Sequence, residues 1–271
     1  MTAIVFSHAN GFPAGTYRQL FDAWRSAGIE VHALDKFGHD PRFPVTNNWP
    51  LLRDELIQFI ERRGAAPAVL VGHSLGGYIS LLTASRRPDL ACGVVLLDSP
   101  VVFGWKARAL QFAKATGLGE RLSPGHVSKR RRQHWPDPDA AFAHFAAKPA
   151  FARWAPGVLR DYIASGVEPD ADAPERGHRL RFRRDVETAI YNNIAHQLPQ
   201  VLRSHPLRCP LAFIGGSESA EVRQVGLGAT RRLAQGRTST LEGSHLFPFE
   251  KPAETAREVQ RWIESFAGAG A

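Results

Sequence analysis

The 271-residue chain predicts an α/β protein, a mostly parallel sheet of about six strands flanked by helices, with a helical insertion at residues 101–205. Three observations predict it. Short apolar runs alternate with longer segments of helical period, which is how βαβ units read in sequence. That alternation stops between Pro100 and Pro206, although the apolar residues there keep a helical spacing. The composition, 44% hydrophobic and 22% charged, is that of a chain able to bury a full core.

Taken in order, strands are expected at residues 2–7, 29–34, 67–72, 92–98, 210–214 and 237–241, with helices near 16–27, 50–63, 75–87, 221–234 and 252–266. Pro252 suits the first turn of the final helix, and Glu254 and Glu258 stand ahead of Arg257 and Arg261 on an exposed face. The last residues, Gly268 to Ala271, read as a fraying tail. A structureless loop as long as 101–205 is improbable in a compact domain, so that segment is expected to be an inserted cap over a core made of residues 1–100 and 206–271. The cap carries Trp105, Phe112, Trp135, Phe142, Phe145, Trp154 and Tyr162, which can pack on one another or line an apolar pocket beneath.

The net charge of +8 is unevenly placed. Residues 101–208 hold 18 Lys and Arg against 10 Asp and Glu, whereas the rest balances at 16 against 16. The runs Lys129-Arg130-Arg131-Arg132 and Arg179-x-Arg181-x-Arg183-Arg184 read as a solvated helical surface, and no recognition motif points to nucleic acid. No apolar run reaches the roughly 18 residues of a membrane span. Thr2 to Phe6 has neither a basic region before it nor a small-residue cleavage site after it, so no signal peptide is expected. Cys92 and Cys209 read as free buried thiols, in keeping with a reducing cytoplasm.

The chemistry centres on Val69-Leu70-Val71-Gly72-His73-Ser74-Leu75-Gly76-Gly77, an apolar strand running through G-x-S-x-G into a helix. A nucleophile held on so sharp a turn has neighbours too close for side chains, hence glycine on both sides. The N–H of Leu75, at the start of the helix, is free to face a developing oxyanion. A serine hydroxyl needs an imidazole beside it to act as a nucleophile.

On these residues the chain resembles the α/β-hydrolase superfamily, as a serine esterase-like member with a helical cap. Ser7-His8-Ala9-Asn10-Gly11-Phe12-Pro13, followed by Tyr17, is similar to the family's oxyanion strand end, although Ala9 replaces the usual glycine. The resemblance implies Asn10 as the second oxyanion donor, with Phe12 as the alternative in a shifted register. Leu34-Asp35-x-x-Gly38-His39 is similar to a structural turn of the family, and His8, His39 and His73 read as scaffold. Glu242-Gly243-Ser244-His245 follows the last strand, where the family places its catalytic histidine, so His245 is the expected base. The acid has two family positions, and each holds a carboxylate. Asp98 is the reading preferred, and Glu218 is the alternative.

Against the family's pattern the first two strands are missing, which leaves an exposed edge as a candidate partner surface, and a homodimer is among the partners considered. The expected reaction is hydrolysis of small or medium acyl esters, with an acyl substrate and water as partners. Thioester, lactone, amide and carbon–carbon cleavage and perhydrolysis use the same residues, and a silent binding protein is the non-enzyme alternative. No H-E-x-x-H, C-x-x-C, P-loop or G-x-G-x-x-G calls for a metal or cofactor.

Overall fold

A computed structural model of the chain describes residues 3–104, 107 and 125–268. Trp105, Phe112 and residues 269–271 lie outside them. Strand β1 (Ile4–Ser7) leads through a 3-10 turn into helix α1 (Arg18–Ser26), followed by β2 (Val31–Ala33), α2 (Pro50–Arg63), β3 (Ala68–His73), α3 (Leu75–Arg86) and β4 (Ala91–Leu97). After the central segment come β8 (Leu211–Gly216), α10 (Ala220–Val225), α11 (Gly228–Leu233), β9 (Thr238–Leu241), α12 (Phe247–Glu250) and α13 (Pro252–Gly268). The expected helix 221–234 is two helices, because Gly226 at φ 78° turns the chain between them.

Strands β1–β4, β8 and β9 form one sheet of six, in the order β2-β1-β3-β4-β8-β9, with every neighbouring pair parallel. It is the expected α/β-hydrolase architecture. β1, β3 and β8 read as unbroken apolar runs because both faces of the sheet are covered. On one face Leu20, Phe21 and Trp24 of α1 meet Ala256 and Val259 of α13. On the other, Leu52, Leu56 and Ile60 of α2 pack with Ile79 and Leu82 of α3. Since all six strands run the same way, their carboxyl ends emerge on one edge. The strand order reverses between β1 and β3, the switch point beside which sheets of this kind place their functional loops.

The central segment holds α4 (Gly125–Arg130), β5 (His134–Trp135), α5 (Pro138–Ala146), α6 (Pro149–Ala152), α7 (Val158–Gly166), β6 (Val167–Pro169), β7 (His178–Leu180), α8 (Arg184–Asn192) and α9 (Leu198–Ser204). None of its strands joins the large sheet. β5, β7 and β6 instead make a small antiparallel sheet, which the purely helical expectation missed. The arginine run at 179–184 belongs in part to β7, whose alternation sends Arg179 to Glu168, Asp170 and Asp172. Arg181 pairs with Asp35 and Glu168, and Arg183 with Asp185. Much of the local positive charge is therefore matched by carboxylates rather than presented to solvent as a helical face. Among the described residues, no helix is long and apolar enough to cross a membrane.

Candidate active site

Ser74 sits between β3 and α3 at φ 53° and ψ −114°, a conformation that side-chain-bearing residues rarely adopt. Two close approaches explain how the chain holds it there. A Cβ on Gly76 would lie 2.0 Å from the Ser7 carbonyl oxygen, and one on Gly72 would lie 2.3 Å from the backbone of Gly76. Only glycine lets strand, turn and helix come so near. The Ser74 N–H donates to Leu97 O at 2.9 Å, and Ser99 Oγ donates to Ser74 O at 2.9 Å, fastening the turn to the end of β4.

His245, in the loop between β9 and α12, brings Nε2 to 3.0 Å from Ser74 Oγ. Its Nδ1 lies 2.6 Å from Asp98 Oδ2. A carboxylate only accepts, so Nδ1 carries the proton and the Nε2 lone pair faces the serine. Asp98 follows β4 at φ 43°, which swings its side chain across the end of β8. There its Oδ1 accepts from Gly216 N–H at 2.7 Å, and its Oδ2 also accepts from Ser219 Oγ at 2.5 Å. Its side chain has no solvent exposure. Burial works against the imidazolium of His245, but the Asp98 hydrogen bond and the charges of Glu221 and Asp98 outweigh it, so the pKa lies above the ordinary histidine value.

Glu218, the alternative acid, points elsewhere. It is half-exposed and pairs with Arg153 at 2.7 Å, which holds its carboxyl below the usual range. The two oxyanion candidates differ as well. Phe12 N–H donates to Ala9 O at 3.2 Å within its own turn. Asn10 N–H and Leu75 N–H have no acceptor among the described residues. The Asn10 side chain is anchored separately, donating from Nδ2 to Glu187 O at 3.0 Å.

A second layer fixes these groups, and sequence reasoning assigned it only to scaffold. Ala9 N–H donates to Tyr17 Oη at 3.0 Å, Tyr17 Oη donates to His73 Nδ1 at 2.7 Å, and His73 Nε2 donates to His245 O at 2.9 Å. The relay joins the end of β1 to the backbone of His245. Burial holds the His73 pKa well below its ordinary value, so it acts as a neutral linker. His8 is likewise neutral, its pKa lowered to about 4 by burial while its Nε2 accepts from Phe37 N–H.

Aromatic residues of the central segment come down onto the same loops. Trp154 packs at a tilt with its ring 4.6 Å from that of Phe249, and Phe12 lies 5.8 Å from Trp154 and 5.7 Å from Tyr162. Beside Gly11, Arg131 makes a two-bond pair with the buried Glu187 and also reaches Tyr162 Oη. Ala155 N–H donates to Phe249 O at 2.9 Å, and Arg153 bridges to Glu250.

Residues 4–258 match the model of the alpha/beta hydrolase family. The chain belongs to that family. The matched residues include the serine turn and the histidine loop just described. It is 33% identical over 119 residues to monoglyceride lipase of Homo sapiens, a match covering 41% of this chain and 39% of that protein. The chain thus spans about two fifths of the length of that relative. It is 27% identical over 233 residues to an abhydrolase domain-containing protein, AFT2-1, of Alternaria alternata, covering 73% and 83% of the two chains. Its fold is similar to that of E-2-(acetamidomethylene)succinate hydrolase, with TM-score 0.73 and 22% identity over 97% of this chain and 91% of the other. It is also similar to a thioesterase domain from the curacin biosynthetic pathway, with TM-score 0.69 and 17% identity over 94% and 89%.

Proposed function

We propose that this alpha/beta hydrolase is a serine esterase that cleaves carboxylic esters of small or medium acyl compounds. The observation that carries the reading is the line Ser74 Oγ, His245 Nε2, His245 Nδ1, Asp98 Oδ2, with heavy-atom separations of 3.0 Å and 2.6 Å at its two joints. Both are within the reach that proton transfer requires.

The steps follow from that line. His245 Nε2 takes the Ser74 proton as Oγ attacks the acyl carbon. Asp98, desolvated and already bonded to Nδ1–H, stabilises the imidazolium that forms. The Leu75 and Asn10 N–H groups receive the carbonyl oxygen as it becomes negative. His245 then gives its proton to the leaving alcohol, and the acyl group stays on Ser74. Water, deprotonated by the same Nε2, attacks the acyl carbon on Ser74; the Oγ–acyl bond breaks, His245 returns the proton to Ser74 Oγ, and the acid leaves. No step calls for a metal or cofactor, because acid, base and oxyanion donors all come from the chain.

In this reading residues 1–100 and 206–271 are the catalytic core, and residues 101–205 are a cap whose Trp154 and Tyr162 help wall the acyl side. The relatives named as lipases support an ester substrate. Turnover of p-nitrophenyl acetate and butyrate, compared with a Ser74→Ala variant, tests the proposal. Loss of turnover with the serine, together with fluorophosphonate labelling of wild type alone, is the expected result. Equal turnover by both proteins would overturn it.

A further inference from the structure

Asp98 is not the imidazole's only acidic neighbour. Glu221, in the first turn of α10, holds Oε2 at 3.6 Å from His245 Nδ1 and 3.3 Å from Ser219 Oγ. One ligating atom each from Asp98, Glu221 and His245 fall within 4.8 Å of one another. The two carboxylates live in different surroundings. Asp98 is fully enclosed, whereas the Glu221 side chain is 47% exposed and reaches the imidazole from the solvent side. Ser219 has one hydroxyl proton, and at 2.5 Å it goes to Asp98, so Glu221 receives none from that side chain.

Glu218 and Glu250 both pair with Arg153. Glu221 has no lysine or arginine paired with it among the described residues. Its charge is aimed at the ring edge that turns positive when His245 takes a proton.

We propose that Glu221 is a positioning residue of this site, a second, water-facing carboxylate that stabilises the His245 imidazolium and makes the rate sensitive to ionic strength. The proposal rests on His245 being the base. The other groups facing that ring are Asp98 at the end of β4, His73 at the end of β3 and Ser74. His73 is neutral in its buried relay, so the local charge comes from the two carboxylates. Tyr191 of α8, which feels the charges of Glu187, Arg131 and Glu221, has its hydroxyl pushed up to about 12 by burial, so it too is uncharged near neutrality.

The test is the pH dependence of kcat/KM for wild type and Glu221→Gln at about 20 mM and about 500 mM NaCl, where screening differs strongly. At low salt the acid-limb midpoint of Glu221→Gln should lie about 0.5 pH unit below that of wild type, as fits a half-exposed pair. At high salt the wild-type midpoint should fall toward that of the variant, which itself should barely move. Glu221→Gln should also cost at least about threefold more in an Asp98→Asn background than alone, since the two carboxylates act on one ring. Coincident midpoints at both salts, with the same cost in both backgrounds, would overturn the role of Glu221. That outcome is distinct from failure of the esterase reading, which would appear as turnover that survives Ser74→Ala.

Discussion

The Nε2 of His73 donates to the carbonyl oxygen of His245 at 2.9 Å, so the histidine ahead of Ser74 fixes the backbone of the histidine opposite it. Tyr17 completes this tie, accepting from Ala9 N–H and donating to His73 Nδ1. Tyr17→Phe leaves one buried donor and one buried acceptor unpaired, and should cost about 1–3 kcal/mol of stability. Because the relay ends at Ala9, beside the proposed oxyanion donor, and at the proposed base His245, kcat should fall more than KM rises. Urea unfolding and steady-state kinetics on one preparation check both effects.

Asp98→Asn should lower kcat by about a thousandfold or more, because the amide cannot hold the same tautomer or offset the imidazolium charge. Glu218→Gln should change kcat by no more than about twofold, since it breaks only a solvent-exposed pair with Arg153. Collapse of Glu218→Gln with survival of Asp98→Asn would reverse the choice of acid.

Two pH effects run in opposite senses. As the proposed base His245 must be neutral to accept a proton, and its pKa is raised, so kcat/KM should fall as pH drops through a midpoint above 6.5. The raised value also adds stability that is complete below the unfolded pKa and is lost as pH rises through the folded one.

His8 and His39 behave in the reverse way, with burial lowering both to about 4. The unfolded chain takes up their protons first, so the stability they confer is present above about 6.5 and is lost as pH falls toward 4. At pH 5 this amounts to about 2 kcal/mol for each. Denaturant midpoints at pH 7.5 and 5 should show the loss, and His39→Gln should reduce it.

Gly76→Ala places a carbon 2.0 Å from Ser7 O and 2.8 Å from His8 O, both backbone atoms that cannot give way. The variant should fail to fold stably. Gly64→Ala meets nothing within 4 Å and suffers only its φ of 62°, at a cost of about 1 kcal/mol. Comparing soluble yield and thermal midpoint separates the two.

The sheet and its helices were legible because both faces are covered, which makes each strand an apolar run and each helix a periodic one. The sharp turn at Ser74 was legible from the glycines it needs, and the loop that brings His245 beside it from its place after the last strand. The choice between Asp98 and Glu218 was harder, since sequence supplies a carboxylate at each position and only the path of Arg153 shows why Glu218 is occupied elsewhere. Glu221 gave no signal at all, because its approach to His245 depends on where α10 starts, and Ser219 sets that start as N-cap. β5, β6 and β7, of two or three residues each, are too short for alternation to stand out from helical spacing.

Phe249 lies four residues beyond His245 and is held by the main chain of Ala155, while Arg153 grips Glu250 next to it. A swing of residues 149–166 away from the sheet would therefore tug on the stretch that carries His245. If the esterase reading holds, an acyl compound bulky enough to force those residues outward would loosen the imidazole it depends on and be turned over slowly.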